Sequence, residues 1–336
     1  MFKKTLYFLS FIFLLASCSH NKYEVVIYCA LDKMYSEPIL KDFEDQTGIK
    51  VKAVYDTELT KTVGLVNRII AESNYPQCDV FWNNEISRTI LLKNNVILQS
   101  YRSLSAVEIP PSYKDAEGYW AGFAARARVI IYNKEKCDPK NLPSSILDLA
   151  NEKWKGKAAI AYPLFGTTAT HGAALFSEFG DEWALDFFNT IKENEIGILD
   201  GNATVRDRVV SGDYYWGFTD TDDANGAIED GKNVGIIYPD QGENEMGMLV
   251  IPNTIALIAD CPHPDNGKQL IDFVLQKEVE ALLANSRAAQ IPVRAGVKTP
   301  ENVIQLDSVK QMEVDFQKVC GELGESSKIL GEIFIK

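Results

Sequence analysis

Between Tyr23 and Glu85 the chain alternates apolar runs with stretches of helical spacing, and this alternation most narrows what it can fold into. Tyr23-Glu-Val-Val-Ile-Tyr28 is a short continuous apolar run of the buried, parallel-strand type. Ser36 to Thr47 then places Ile39, Leu40 and Phe43 on one helical face and is stopped by Gly48. Ile49 to Val54 alternates as a second strand, Thr60 to Ser73 is an amphipathic helix, and Cys78 to Trp82 is a third strand. The β-α-β-α-β order implies a doubly wound, mostly parallel α/β sheet. Ligands of such sheets collect at the carboxyl ends of strands. Those ends present Asp32, Tyr55-Asp56-Thr57 and Asn84-Glu85 on one rim.

The second half repeats the theme with other residues. Arg126 to Tyr132 is a strong strand able to carry the chain into a second lobe. Ala158 to Tyr162 is a strand followed by Gly166-Thr-Thr168 and a small-residue helix from His171 to Phe179. A Gly-Thr-Thr turn opening a helix offers backbone amides, hydroxyls and a positive dipole end to an anion; simple threonine capping is the alternative. Asn202 to Val210 is a short helix. Tyr214 to Phe218 reads as an aromatic strand running into Asp220, Asp222 and Asp223, with a helix from about Ala224 to Asp230. Three aspartates within four positions after an apolar strand read as half of a binding site, against the plain alternative of a solvated helix start. Val234 to Tyr238 and Met248 to Pro252 are strands, the latter returning to lobe one. Three further helices cover Gly267 to Leu275, Val279 to Asn285 and Ser308 to Leu323.

The first residues fix the compartment expected. Lys3-Lys4 precede an apolar run from Leu6 to Leu15, too short to span a membrane and of signal-peptide length. Leu14-Leu-Ala-Ser-Cys18 resembles a bacterial lipobox, which implies removal of residues 1–17 and lipidation of Cys18, with Ser19 to Lys22 as tether. Removing residues 1–17 lowers the basic count from 34 to 32 against 47 acidic side chains, a formal charge of −15 instead of −13. That disfavours nucleic acid and anionic membrane surfaces as partners, leaving the lipid anchor as the expected membrane contact. With 46% apolar residues the 336-residue chain can fill two domain cores. Cys29, Cys78, Cys137, Cys261 and Cys320 are scattered without a CxxC, so a zinc site is not expected and at most two disulfides can form. P-loop, HExxH and GxSxG motifs are absent. Of the histidines, His20 lies in the tether, His263 in a Pro-rich loop, and His171 beside a plausible site as a capping or packing residue. No catalysis and no catalytic cofactor are expected.

Val26-Ile-Tyr28, Phe43-Glu-Asp-Gln-Thr-Gly-Ile-Lys-Val51, Asp79-Val-Phe81, Arg126 to Tyr132 and Trp154-Lys-Gly156, continued by Gly247-Met-Leu-Val250 and Gln290-Ile-Pro292, together resemble the periplasmic ferric-iron-binding proteins among family 1 solute-binding proteins. The resemblance implies a type II periplasmic-binding-protein fold, with residues 23–125 plus 251–305 as lobe one and 126–250 plus 306–336 as lobe two. It implies capture of iron(III) or another hard cation by lobe closure, with phosphate or carbonate as accompanying anion, by a monomer serving an ABC permease and its ATPase. The family's histidine falls at Asp32 and its glutamate at Asn84 or Glu85. Its tyrosine pair falls at Tyr214-Tyr215 or, matching the acidic turn, at Asp222-Asp223. The second register is preferred, because adjacent strand residues point to opposite faces. Asp32, Glu85, Asp222 and Asp223 would then be cation ligands, and Asp220 a ligand or a residue orienting one. Thr167, Thr168, Asn202 and Arg126 would hold the anion, with Asp56 and Thr57 at the same rim. A small anionic organic solute, such as a sugar phosphate or phosphonate, is the alternative cargo. An exported hydrolase or a structural surface lipoprotein are the readings outside this class.

Overall fold

The computed structural model describes residues 23–56 and 63–335; Cys18, Thr57 and the signal segment lie outside them. Three parallel strands open the sheet: β1 (Glu24–Cys29) between β2 (Lys50–Tyr55) and β3 (Val80–Asn83). Helices α1 (Lys33–Thr47) and α2 (Val63–Ala71) connect them, as the alternation implies. Gly48 ends α1 at φ 75°, a left-handed cap that glycine adopts without Cβ strain. After β3 comes α3 (Ser87–Asn94), which its mixed periodicity hides in the sequence, and the two-residue β4 (Leu98–Gln99).

Two long strands then run through the molecule. β5 (Ala121–Asn133) and β10 (Val250–Ile258) pair antiparallel, and β10 also lies antiparallel to β3 and β4. The far end of β5 pairs antiparallel with β8 (Trp216–Asp220) and β9 (Val234–Ile237). Beside β8 the sheet turns parallel again, through β6 (Ala158–Ala161) to β7 (Gly197–Leu199). The order is β2-β1-β3-β10-β5-β8-β6-β7. The outer strands are parallel, as expected; the crossing strands are antiparallel because β5 and β10 pass between the halves in opposite directions.

The crossing is bent. Ala124 sits at φ 41° and the β5–β10 register shifts between Pro252 and Asn253. The Ala124 amide donates to the buried Glu280 carboxylate at 2.8 Å, and Asn253 Nδ2 donates to the Ala124 carbonyl. Glu280 is itself paired with buried Arg294 at 2.5 Å. The bend therefore has dedicated partners for its displaced backbone groups.

Helices α4 (Gly166–Phe179), α5 (Asp181–Glu193), α6 (Asn202–Val210) and α7 (Thr221–Glu229) flank the second half. α8 (Pro264–Val274) and α9 (Lys277–Asn285) cover the first. The terminal α10 (Phe316–Phe334) begins eight residues beyond the Ser308 expected from periodicity and packs on both α3 and α4. No helix among the described residues is long and apolar enough to cross a membrane.

Gly217 in β8 lets α6 approach the sheet. A Cβ there would run into Val205 Cγ1 and lie 3.1 Å from the Ala159 carbonyl oxygen and 3.2 Å from Val209 Cγ2. Gly217→Ala should therefore cost about 1–3 kcal/mol of unfolding free energy, the usual cost of overpacking. Denaturant titration measures it, and an unchanged midpoint would show that α6 can shift without penalty.

Candidate functional site

The strand that carries the acidic turn starts two residues later than its aromatic pattern predicts. β8 covers Trp216–Asp220, so Asp220 is its last residue, and Tyr214-Tyr215 precede the strand instead of lying within it. At about 3.3 Å per residue the tyrosines are roughly 17–20 Å from the acidic end. The Tyr214 ring packs against Gly197 and the cluster of Ala159, Ala161 and Val205, while Lys157 lies over the Tyr215 ring. Both aromatics are packing residues. α7 begins three residues before the expected Ala224, which puts Asp222 and Asp223 in its first turn.

Register explains what happens to Asp220. It is the direct cross-strand neighbour of Arg128, two fully buried charges facing each other across β5 and β8. Arg128 Nη1 donates to Asp220 at 2.6 Å, to Asn202 Oδ1 at 3.1 Å and to Thr167 Oγ1 at 3.2 Å, and Nη2 donates to Thr168 Oγ1 at 3.2 Å. The Thr167 hydroxyl and Asn202 Nδ2 both donate to Asp220, at 2.7 and 2.9 Å. Arg126, two residues along on the same face of β5, comes within 3.5 Å of Asp220 and 3.4 Å of Asp222. Burial opposes ionisation of Asp220, but Arg128 and Arg126 outweigh it and hold its carboxyl below the usual range. Thr167, Thr168 and Asn202 thus come together as expected, with their side chains tied to one another, to Arg128 and to Asp220.

Above this network lies a cavity of about 180 Å³ lined from both halves of the sheet. Asp32, Tyr35 and Asn84 come from one half; Thr167, Thr168, Asn202, Asp222 and Asp223 from the other, with Arg126 between. Donor oxygens of Asp220, Asp222 and Asp223 lie within 4.8 Å of one another, close enough to share an ion. Arg206 pairs with Asp223 at 3.1 Å and also lines the cavity, as does Arg287. Four helices, α1, α4, α6 and α7, start at this cavity; in none does the N-cap side chain bond the first turn, although in α7 the Asp223 amide donates to Asp222 Oδ1 at 3.1 Å. Their first-turn amides and dipole ends therefore add positive potential to a wall that also carries carboxylates.

Three expected site residues do not line this cavity: Asp220, buried in the network beneath it, Glu85 and Asp56. Glu85 is fully buried and caps α3, accepting from the amides of Ser87 and Arg88 at 2.8 Å each and from Thr170 Oγ1 at 3.0 Å. That last bond ties α3 to α4 across the two halves. Asp56 accepts weakly from the Leu65 amide at 3.4 Å, at the start of α2. His171 is buried against Phe218, and burial followed by the Arg128 charge pushes its imidazole down to about 3. It is neutral and packs, as its position suggested.

The sequence reading missed Arg128, Arg206, Arg287, Tyr35, Tyr162 and Phe165. Arg128 had a legible signal: it stands two residues after Arg126 in a strand, hence on the same face. Arg206, one turn into α6 after Asn202, was visible only as a charge on a short helix.

Asp220→Asn leaves Arg128 without its counter-charge and should cost about 3–5 kcal/mol, as breaking buried pairs does. Because the folded carboxyl titrates below its unfolded value of about 3.9, the stabilisation is complete above that pH. It is lost as pH falls through the lower folded value. Denaturant midpoints at pH 7 and pH 3 check this: the gap between wild type and variant should narrow in acid, and a gap that widens contradicts the assignment.

A family model for bacterial extracellular solute-binding proteins matches residues 39–310. The Iron uptake protein A1 of Synechocystis sp. is 26% identical over 330 residues, covering 95% of this chain and 89% of that protein. A putative 2-aminoethylphosphonate-binding periplasmic protein of Salmonella typhimurium is 28% identical over 244 residues, 71% of this chain and 68% of that one. The crystal structure of iron-bound HitA from Pseudomonas aeruginosa superposes with a TM-score of 0.83 at 25% identity, covering 93% of this chain and 99% of that one. A sheet crossed twice between two halves, with polar groups of both halves around one cavity, is therefore the two-lobed binding-protein fold, and the chain belongs to the bacterial extracellular solute-binding proteins.

Proposed function

We propose that this protein is the periplasmic substrate-binding component of an ABC importer, and that its cargo is a hard cation, iron(III) foremost, taken up together with an anion. The observation that carries the reading is the grouping of Asp222 and Asp223 with Asp220 within 4.8 Å, at a cavity that Asp32 lines from the other half. Carboxylate oxygens are hard donors suited to a hard cation. Asp32, Asp222 and Asp223 serve as ligands, and Asp220, held by Arg128, Thr167 and Asn202, orients the turn that carries two of them. The anion rests on the first-turn amides of α4, beside Arg126. Glu85 and Asp56 have other partners and take no part.

Lobe one comprises residues 23–125 and 251–305, lobe two residues 126–250 and 306–336. They close about the crossing strands, where the Ala124 bend and the Pro252–Asn253 register shift lie. The relatives named for iron uptake support the cargo, and the family supports a binding role without catalysis. The protein is held at the membrane by acylated Cys18, and an ABC permease with its ATPase receives the cargo. Cys18→Ser should then leave the leader uncleaved and the chain without acyl mass; a normally acylated variant on mass spectrometry rules Cys18 out.

One observation favours the alternative of a small anionic organic solute. Asp222 and Asp223 each face an arginine, Arg126 at 3.4 Å and Arg206 at 3.1 Å, so a cation has to compete with guanidinium for both carboxylates. The readings separate in a ligand screen by thermal shift and calorimetry, using ferric citrate, iron(III) with phosphate or carbonate, divalent metals, sugar phosphates and phosphonates. A ligand at 1,000 times its Kd adds about 4 kcal/mol of stability. Asp222→Asn with Asp223→Asn should weaken iron binding by more than the roughly 10–100-fold typical of losing a ligand-orienting group. Unchanged iron affinity would sink the cation assignment, and stabilisation by phosphorylated organics alone would establish the second cargo.

A further inference from the structure

The cavity lies at the carboxyl ends of β1 and β3; the opposite end of these strands carries apolar side chains that the chain leaves uncovered. Tyr23 is 64% exposed, and Tyr75 and Val96 are each 83% exposed. One row of backbone hydrogen bonds joins them. The Lys50 amide donates to the Tyr23 carbonyl at 2.9 Å, Asp79 to Val26 at 2.8 Å, Ile258 to Asp79 at 2.9 Å and Ala259 to Ile97 at 2.8 Å. Tyr75 stands in the loop before β3 and Val96 beside Ile97. Tyr23 and Val96 are thus three strand spacings apart, roughly 14 Å.

Isolated apolar side chains on a surface need no explanation, but Val96 occupies a position where valine is costly. Its amide donates to the Lys93 carbonyl at 2.9 Å and the Ile97 amide to Leu92 at 3.0 Å, which closes α3 with a left-handed residue at φ 59°. Glycine or asparagine is usual there, and a β-branched residue is a rare one. At its exposure the Val96 side chain gains almost no packing within the chain in return. The surrounding loops are also unusual in charge. Residues 73–77 and 94–96 are uncharged in a chain of which 24% is charged. Between these loops lies a hollow of about 360 Å³ whose one charged lining residue is Asp260, beside Ser73, Asn74 and Asn95.

Position decides what covers this end. Five residues carry the chain from Cys18 to Tyr23, and a fully extended stretch of that length spans at most about 18 Å. A domain of this size is on the order of 30 Å across. An acyl anchor at Cys18 therefore brings this end of lobe one to the bilayer before any other part of it. We infer that this end lies against the lipid–water interface, with Val96 and the Tyr23 and Tyr75 rings among the headgroups. The inference rests on the lipid-anchored reading above and adds an orientation to it. Tyrosine suits that layer, because its ring is apolar and its hydroxyl stays wet. Uncharged loops suit zwitterionic headgroups, whereas an anionic surface repels a chain of this net charge.

The test uses the exported, acylated protein reconstituted into phosphatidylcholine vesicles that hold no other protein. Tyr75→Cys, Val96→Cys and, as a control on α9, Leu282→Cys each carry a fluorophore; Leu282 is 51% exposed, and the cysteines of the described residues are buried. Brominated lipid should quench the labels at positions 75 and 96 and leave position 282 bright, at low and high salt alike. Val96→Asn suits the left-handed backbone and should not lower the denaturant midpoint. It should nevertheless reduce the ratio of lipid-contacting to free label at position 75 about fivefold, the scale of half-burying one valine. Equal quenching at all three positions, no quenching at any, or no change in Val96→Asn overturns the inference and leaves the anchor standing. Quenching that needs anionic lipid and vanishes in salt also overturns it. Labels shielded in native membranes but not in these vesicles assign the surface to a protein instead. Absence of acyl mass on Cys18 overturns the anchor and the orientation together.

Discussion

The site is built on one buried ion pair. Arg128 and Asp220 are both without solvent exposure, and taking two charges out of water costs several kcal/mol each, a cost their mutual attraction offsets only when the remaining donors and acceptors are met. Thr167, Thr168 and Asn202 meet those of the carboxylate and of Nη1 and Nη2, while Nε has no hydrogen-bond partner and the guanidinium lies over the Phe218 ring. A pair of this kind is a weak source of net stability. Its consequence is geometric: the middle of β5, the end of β8 and the starts of α4 and α6 are fastened to one planar guanidinium, so the first turns that face the cavity have a fixed relation to one another.

That fastening changes which groups can touch a solute. Hydroxyls of Thr167 and Thr168 and the amide of Asn202 look, in the sequence, like anion contacts. In the fold they hydrogen-bond to Arg128, to Asp220 and to one another. Under the proposed function, the anion at α4 is held by main-chain N–H groups, whose number and direction do not depend on side-chain identity. The side chains that do reach the cavity carry both signs, and the salt bridges Arg126–Asp222 and Arg206–Asp223 show that the two signs already partner each other across it.

Much of this was legible before the fold. The first three strands and their helices followed from periodicity because two continuous apolar runs and one alternating run are separated by helical spacing and closed by Gly48 and Asn84. Asp32, Arg126, Thr167, Thr168, Asn202, Asp222 and Asp223 all line one cavity; Arg126 does so from the middle of β5, and the others stand where a strand ends or a helix begins. What failed was local. Glu85 resembled a ligand because it follows β3, but a carboxylate three residues before Arg88 is equally placed to cap α3, and the free amides of that helix took it. Tyr214 and Tyr215 counted as strand because aromatic residues favour β-structure; Tyr215 does exchange backbone bonds with Lys157 and Asn133, but β8 itself begins at Trp216. α3 was missed because its buried face includes Ser87, Arg88 and Thr89, polar residues that no hydrophobic period reveals.

The arginines beside the carboxylates bear on how affinity is reached at all. A bare cation entering between Asp222 and Asp223 gains two hard donors and displaces the guanidiniums of Arg126 and Arg206, leaving two positive charges near a third. In a partly buried cleft that repulsion is not screened as it is at a surface. Bringing negative charge in with the cation removes the penalty, because the displaced arginines find new partners on the incoming anion. Under the proposed cargo, cation and anion binding are thus coupled through Arg126 and Arg206, and each raises the affinity for the other by the same factor. A protein arranged this way discriminates against free cations by their lack of an accompanying anion, a selectivity that the carboxylates alone would not supply.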